Sequence, residues 1–203
     1  MTLLNTFLLL AVALATPGLI NRIRARLAGR RGIRFMQHLY DLRLHLRKGA
    51  VYSSTTTALF RTAPSVYLGA AIVAALTIPV GDLRPLLAFE GDLVCMAYVL
   101  ALGRFALILA AMDTGSAFEG MGASREALYG ALVEPALMLA GGTLALLTGC
   151  TSFARIFDPA VMPGAQFVIV LLLTAYVLVK SVFTESGRVP VDDPRTHLEL
   201  TMI

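Results

Sequence analysis

Five long apolar runs alternate with polar segments along the chain. Leu3 to Ile20, Thr62 to Gly81 and Val161 to Val179 carry no charge, Leu93 to Met112 carries only Arg104, and Ala127 to Thr148 only Glu134. A bilayer core about 30 Å thick is crossed by roughly 20 helical residues, so each run is long enough to span it. In hydrocarbon every backbone polar group needs an internal partner, which makes each run a helix. The apolar stretch Leu198 to Ile203 reads as the first turns of a sixth span. The pattern predicts an all-α fold, a polytopic transmembrane helix bundle with five complete spans and the start of another, forming a single membrane domain over 1–203.

The polar segments orient the bundle. Ala13-Leu14-Ala15 has the small-x-small shape of a signal-peptidase site, but no positive charge precedes the apolar run, whereas Arg22, Arg24, Arg26, Arg30, Arg31 and Arg34 follow it. That polarity predicts a retained span with its N-terminus outside. Loops 21–61, 113–126 and 180–199 then face the cytoplasm, and the loops with Arg84 and Arg155 face outward with one basic residue each. Within the first loop, Leu39, Leu42 and Leu46 recur at helical spacing between Met36 and Lys48, beside Arg43 and Arg47. This predicts an amphipathic helix, suited either to headgroup anchoring or to docking a cytoplasmic partner.

Composition narrows the function. Of 203 residues 57% are hydrophobic and 15% charged, with mean hydropathy +0.76, far from a soluble domain. Ten of the 17 Lys and Arg residues fall between Arg22 and Arg61, so the net charge of +4 is a topology signal rather than a nucleic-acid footprint. Two separated cysteines and three histidines build no disulfide framework, iron–sulfur ligand set or zinc site. No metal and no cofactor is therefore expected on this chain, and any redox metals would belong to another subunit.

Three places carry candidate chemistry. Arg104 and Glu134 are costly in hydrocarbon, so each should face protein or a water-filled path, as a proton or ion relay or as a structural ion pair. Pro135 fits both readings, since proline frees a carbonyl in the preceding turn. Between the third and fourth spans, Asp113, Glu119 and Glu126 lie among Gly115, Gly120 and Gly122, with Ser124 in position to cap the next helix. After the fifth, Glu185, Arg188, Asp192, Asp193, Arg195 and Glu199 crowd a membrane boundary, interrupted by Pro190 and Pro194. Carboxylates held together and partly desolvated have pKa values pushed apart, as proton exchange requires. On physical grounds this is the strongest candidate site.

The stretch Asp113-Thr-Gly-Ser-Ala-Phe-Glu-Gly-Met-Gly-Ala-Ser-Arg-Glu126, preceded by Gly103-Arg104-Phe105, resembles the hallmark loop of the membrane subunit that forms the docking site in respiratory complex I and its hydrogenase relatives. Glu185-x-x-Arg188-x-Pro190-x-Asp192-x-Pro194, with Glu199 beyond it, is similar to that subunit's acidic loop. Asp192-Asp193-Pro194-x-Thr196-His197-Leu198-Glu199-Leu200-Thr201 resembles the version found in formate hydrogenlyase and other membrane-bound nickel–iron (NiFe) hydrogenases. Gln37, Tyr40 and Asp41 with Leu46-Arg47-Lys48 and Tyr52 look like the first cytoplasmic loop of that form. One departure is Arg30-Arg31-Gly32-Ile33, where the family often has Arg-x-Gly-Pro.

The resemblance implies about eight spans, so the last two or three are expected to be missing here. It implies a multi-pass subunit of the cytoplasmic (inner) membrane, not itself catalytic, in an oxidoreductase complex. Hydrogenase-like large and small subunits would carry the NiFe centre and Fe–S clusters, antiporter-like membrane subunits would flank it, and quinone is a possible ligand. Glu119, Glu126, Glu185, Asp192, Asp193 and Glu199 would form an acidic funnel with Arg188 and Arg125 as counter-charges. Arg104 and Glu134 would belong to the buried path, and Gln37, Asp41, Asp113, Arg125 and His197 to partner docking. Three functions follow from these residues: an ion-coupling hydrogenase subunit, the quinone-site subunit of an NADH:quinone oxidoreductase, or an inert anchor. An anchor would tolerate Glu185→Gln, and a relay would not.

Overall fold

The computed structural model describes residues 2–158 and 164–186. Within them helix is the regular secondary structure, joined by turns and irregular segments, with one isolated bridge between Val80 and Leu83. The elements are α1 (Thr2–Leu27), α2 (Gln37–His45), α3 (Ala58–Thr77), α4 (Asp92–Asp113), α5 (Ala117–Thr148), α6 (Phe153–Ile156) and α7 (Gly164–Glu185). Five helices are long and apolar enough to cross a membrane, namely α1, α3, α4, α5 and the Phe167–Glu185 part of α7. The segment read as the start of another span, 198–203, lies outside the described residues.

Helix packing follows the small residues. Ala63, Ala70, Ala74 and Thr77 form a buried stripe on α3, and Gly103, Ala110 and Ala111 answer it on α4. Lipid provides no hydrophobic drive between helices, so close backbone approach has to supply the contact, and small side chains permit it. A Cβ added to Gly103 would lie 3.1 Å from Ala70 Cβ, which shows how tight the crossing is. α5 packs on α4 and α7, and the buried apolar cluster of Leu144, Cys150, Ile156 and Phe167 closes the end of the bundle where α5, α6 and α7 meet.

α1 stands apart, with only Asn5 and Gly18 buried. Asn5 is 1% exposed and bridges to the segment after α3: its Nδ2 donates to the Ile78 carbonyl at 3.0 Å and its Oδ1 accepts from Val80 N–H at 2.7 Å. Two backbone groups that the end of α3 leaves unpaired are satisfied by one side chain.

Several boundaries differ from the sequence reading. α1 continues past Ile20 to Leu27, because arginines end an apolar run without ending a helix. α3 begins at Ala58, capped by Thr57, whose side chain accepts from Leu59 N–H. The largest correction concerns 113–126, expected as a loop. Only Thr114–Ser116 turn between α4 and α5, with Gly115 at φ 70°, and the rest is helix. Ser116 is the N-cap residue of α5 and Glu119 follows at capping-box spacing, although the Ser116 side chain bonds the Glu119 carboxylate rather than a backbone N–H. Ser124 is accordingly not a cap, since its Oγ donates to the Met121 carbonyl inside the helix. α7 likewise runs past Val179 through Lys180 to Glu185.

Candidate functional site: one arginine shared by three carboxylates

Because α4 and α5 are antiparallel about a short turn, Arg104 and Glu126 lie the same number of residues from it and so at the same depth. An arginine side chain on a helix leans toward the helix N-terminus, which here carries the guanidinium deeper, toward Glu134. On α5, Glu126, Gly130 and Glu134 follow one another at i, i+4 and i+8 and share a face. Arg104 lies along that face. Its Nε is 3.5 Å from Glu126 Oε1, its Nη1 donates to Glu134 Oε1 at 2.5 Å, and its Nη2 donates to Glu185 Oε1 from the last turn of α7. The arginine side chain is only 13% exposed.

Gly130 makes room for this arrangement. A Cβ there would sit 2.9 Å from Arg104 Nη1 and 3.0 Å from Cδ, so the missing side chain is the groove in which the arginine rests. Electrostatically the cluster is unbalanced, since one fixed cation faces three acids. With every carboxylate ionised it carries two excess negative charges, and each proton it takes up removes one. A guanidinium does not deprotonate in proteins, so any proton exchanged here moves on the carboxylates. Such an unbalanced group within three spanning helices can hold a proton or a small cation.

The other candidate residues are distributed as follows. Glu119 is in the first turn of α5, two turns before Glu126; Ser116 hydrogen-bonds its carboxylate, while its Oε2 is buried without a partner among the described residues. Asp113 receives Thr57 N–H at 2.7 Å and Thr57 Oγ1 at 2.8 Å, and so caps α3 from the end of α4. Gln37 donates to Asp41 at 2.9 Å within α2, and the Arg125 guanidinium lies 5.7 Å from the Tyr129 ring centroid. Arg188, Asp192, Asp193, His197 and Glu199 lie outside the described residues.

Sequence reasoning missed the polar clasp at the opposite end. Asp92 is fully buried and accepts from Ser152 Oγ and Phe153 N–H, both at 2.8 Å, fastening α6 onto the start of α4. Glu90 accepts from Thr151 Oγ1 at 2.8 Å and from Arg155 Nη1 at 2.6 Å, and these hydrogen bonds, with Thr151 the larger influence, hold its carboxyl below the usual glutamate value. The signal for Asp92 was an acid in the first turn of a helix, which the helix dipole favours, but its partners lie about 60 residues away. Among the described residues no cluster of three His, Cys, Asp or Glu is placed to hold a metal ion.

Spanning helices that share one half-buried arginine define a polytopic membrane protein with charges between its helices. The chain matches the NADH dehydrogenase family over residues 1–202 and belongs to it. Formate hydrogenlyase subunit 4 of Escherichia coli (strain K12) is 33% identical to it over 198 residues, which is 98% of this chain and 64% of that protein. Hydrogenase-4 component C of the same strain is also 33% identical over 198 residues, covering 98% of this chain and 62% of the relative. Among solved structures, a chain of the membrane-bound sulfane sulfur reductase, an archaeal respiratory membrane complex, superposes with a TM-score of 0.76 at 25% identity, over 92% of this chain and 61% of its own. The chain spans less than two thirds of the length of each of these relatives.

Proposed function

We propose that this chain is the membrane-anchoring and ion-coupling subunit of a formate hydrogenlyase-like or energy-converting nickel–iron hydrogenase complex. The observation that carries the reading is the Arg104 cluster, in which Glu126, Glu134 and Glu185 from two helices converge on one guanidinium. The two curated relatives at 33% identity, named as formate hydrogenlyase and hydrogenase components, supply the reaction class. In this reading the end of the bundle bearing the Arg22–Lys48 charges faces the cytoplasm and the N-terminus faces outward, in the cytoplasmic membrane. Hydrogenase-like large and small subunits dock on that face and carry the NiFe centre and Fe–S clusters, with antiporter-like subunits alongside.

The chain's own residues then do two things. Arg104 keeps the carboxylates within reach of one another, and the carboxylates accept and release the coupling ion, a proton or sodium, as charge changes in the docked arm. The test is Glu134→Gln and Glu185→Gln, each in the assembled complex in sealed vesicles. Ion translocation should fall about ten-fold or more while hydrogen chemistry is largely retained, since in this reading the redox centres belong to the docked subunits. Unchanged translocation would reduce the subunit to an anchor. The family's description as NADH dehydrogenase favours a second reading, the quinone-site subunit of an NADH:quinone oxidoreductase. Quinone reduction without hydrogen activity in the purified complex would select it.

A further inference from the structure

The densest charge in the molecule lies away from the Arg104 cluster, in the hairpin formed by the end of α1 and the segment after it. α1 ends in a Schellman motif, with Gly29 at φ 63° donating to the Arg26 carbonyl at 3.1 Å and Arg30 N–H to the Ala25 carbonyl at 2.8 Å. The chain then folds back along the helix it has just left. Gly32 packs so closely that a Cβ would lie 3.1 Å from Ala25 Cβ, and the Phe35 backbone presses on Gly18, where no Cβ fits. Arg22, Arg24 and Arg26 on the helix and Arg30, Arg31 and Arg34 on the returning segment therefore share one short hairpin, and all are exposed.

Among the described residues, no carboxylate lies within ion-pair distance of any of these arginines. Arg22 lies 5.8 Å from the Phe35 ring centroid, and Asp41, the sole acid between residues 22 and 61, is engaged by Gln37. Cations folded against one another repel, so the hairpin calls for anions from outside the chain. Its depth shows where they come from. The apolar run of α1 ends at Ile20, and the contact between Gly18 and Phe35 returns the chain to that level, where α2 departs with its Leu42 and Leu44 exposed. Lipid phosphates lie at such a boundary, and guanidinium groups bind phosphate through paired hydrogen bonds.

We propose that the α1 hairpin is a binding site for anionic phospholipid headgroups, with the exposed leucines of α2 seated in the adjoining acyl layer. The test uses the protein in its complex in neutral detergent and measures binding of labelled phosphatidylglycerol and phosphatidylcholine. A hairpin variant carries Arg30→Gln, Arg31→Gln and Arg34→Gln, and a control removes the same charge from the α2 end with Arg43→Gln, Arg47→Gln and Lys48→Gln. All six side chains are exposed, so folding is spared. Phosphatidylglycerol should bind the unaltered protein in preference to phosphatidylcholine. Its affinity should fall about 100-fold in the hairpin variant, from roughly 1 kcal/mol per arginine, and less than about ten-fold in the control. Equal binding of the two lipids would overturn the proposal, as would equal losses in the two variants, which would mean a diffuse surface charge. Loss of a protein subunit from the hairpin variant with its lipid preference intact would assign the patch to a protein partner and would also overturn it.

Discussion

Replacing Gly130 with alanine should destabilise the protein only while Arg104 is present. An alanine Cβ would stand 2.9 Å from Arg104 Nη1 and 3.0 Å from Cδ, so the guanidinium has to withdraw by about half an ångström to reach ordinary contact. It is not free to do so, because Nη1 is bound to Glu134 at 2.5 Å while Nη2 and Nε face Glu185 and Glu126. Overpacking of this kind costs about 1–3 kcal/mol, against about 1 kcal/mol gained by removing a glycine from a helix interior. The net effect is a loss of up to about 2 kcal/mol with Arg104 in place and a gain of about 1 kcal/mol in an Arg104→Ala background. Unfolding of the purified protein in mixed micelles by SDS titration, run on the parent, both single variants and the double variant, measures the coupling, expected at about 1–3 kcal/mol. If Gly130→Ala has the same sign and size in both backgrounds, the arginine does not rest in that groove and the geometry of the cluster is wrong.

Asn5→Ala removes the side-chain partner of the Ile78 carbonyl and of Val80 N–H, both in a partly exposed segment, which should lower stability by about 1–2 kcal/mol, read as the thermal midpoint in detergent. Asn5→Leu should cost about as much, since it restores neither bond; a neutral result would mean α1 is held elsewhere. Asp113→Ala removes both bonds to Thr57, and a loss of about 1 kcal/mol should speed amide exchange at the start of α3 about five-fold without changing the rest of the bundle. Glu90 has a depressed folded-state pKa, so its clasp to Thr151 and Arg155 contributes fully above the unfolded glutamate value and is lost as pH falls through the lower folded value. Stability should therefore hold across neutral pH and decline only below about pH 4, and Glu90→Gln should flatten that decline. A parent protein with no acid limb, or a variant with the same one, would refute it.

What the sequence exposed depended on how local each signal is. The five spans were legible because an apolar run of bilayer length is a statement about consecutive residues. Arg104 and Glu134 announced themselves by their cost in hydrocarbon. That Glu126 and Glu185 share the same guanidinium is a tertiary fact, although the Glu126-Gly130-Glu134 stripe could have been read from its spacing. The turn after α4 was hidden by composition, because glycines and serine between 115 and 124 suggest a loop, while Ser116-x-x-Glu119 marks the helix start in two residues. Asn5 and Asp113 were illegible in their roles, since each side chain serves backbone or side-chain groups more than 50 positions away.

The order in which the shared arginine meets its acids has a consequence for how the chain enters the membrane. Glu134 follows Arg104 by 30 residues, across the Thr114–Ser116 turn, whereas Glu185 follows it by 81. At synthesis rates of about 5–20 residues per second, Arg104 waits a few seconds for Glu134 and several more for Glu185. A lone guanidinium released into lipid during that wait carries a penalty of a few kcal/mol. α4 and α5 should therefore leave the insertion machinery together, with the Arg104 charge already answered by Glu126 and Glu134. The last spanning helix then arrives as a further acid, so the late joining of α7 is the step at which assembly raises the cluster's excess negative charge from one to two.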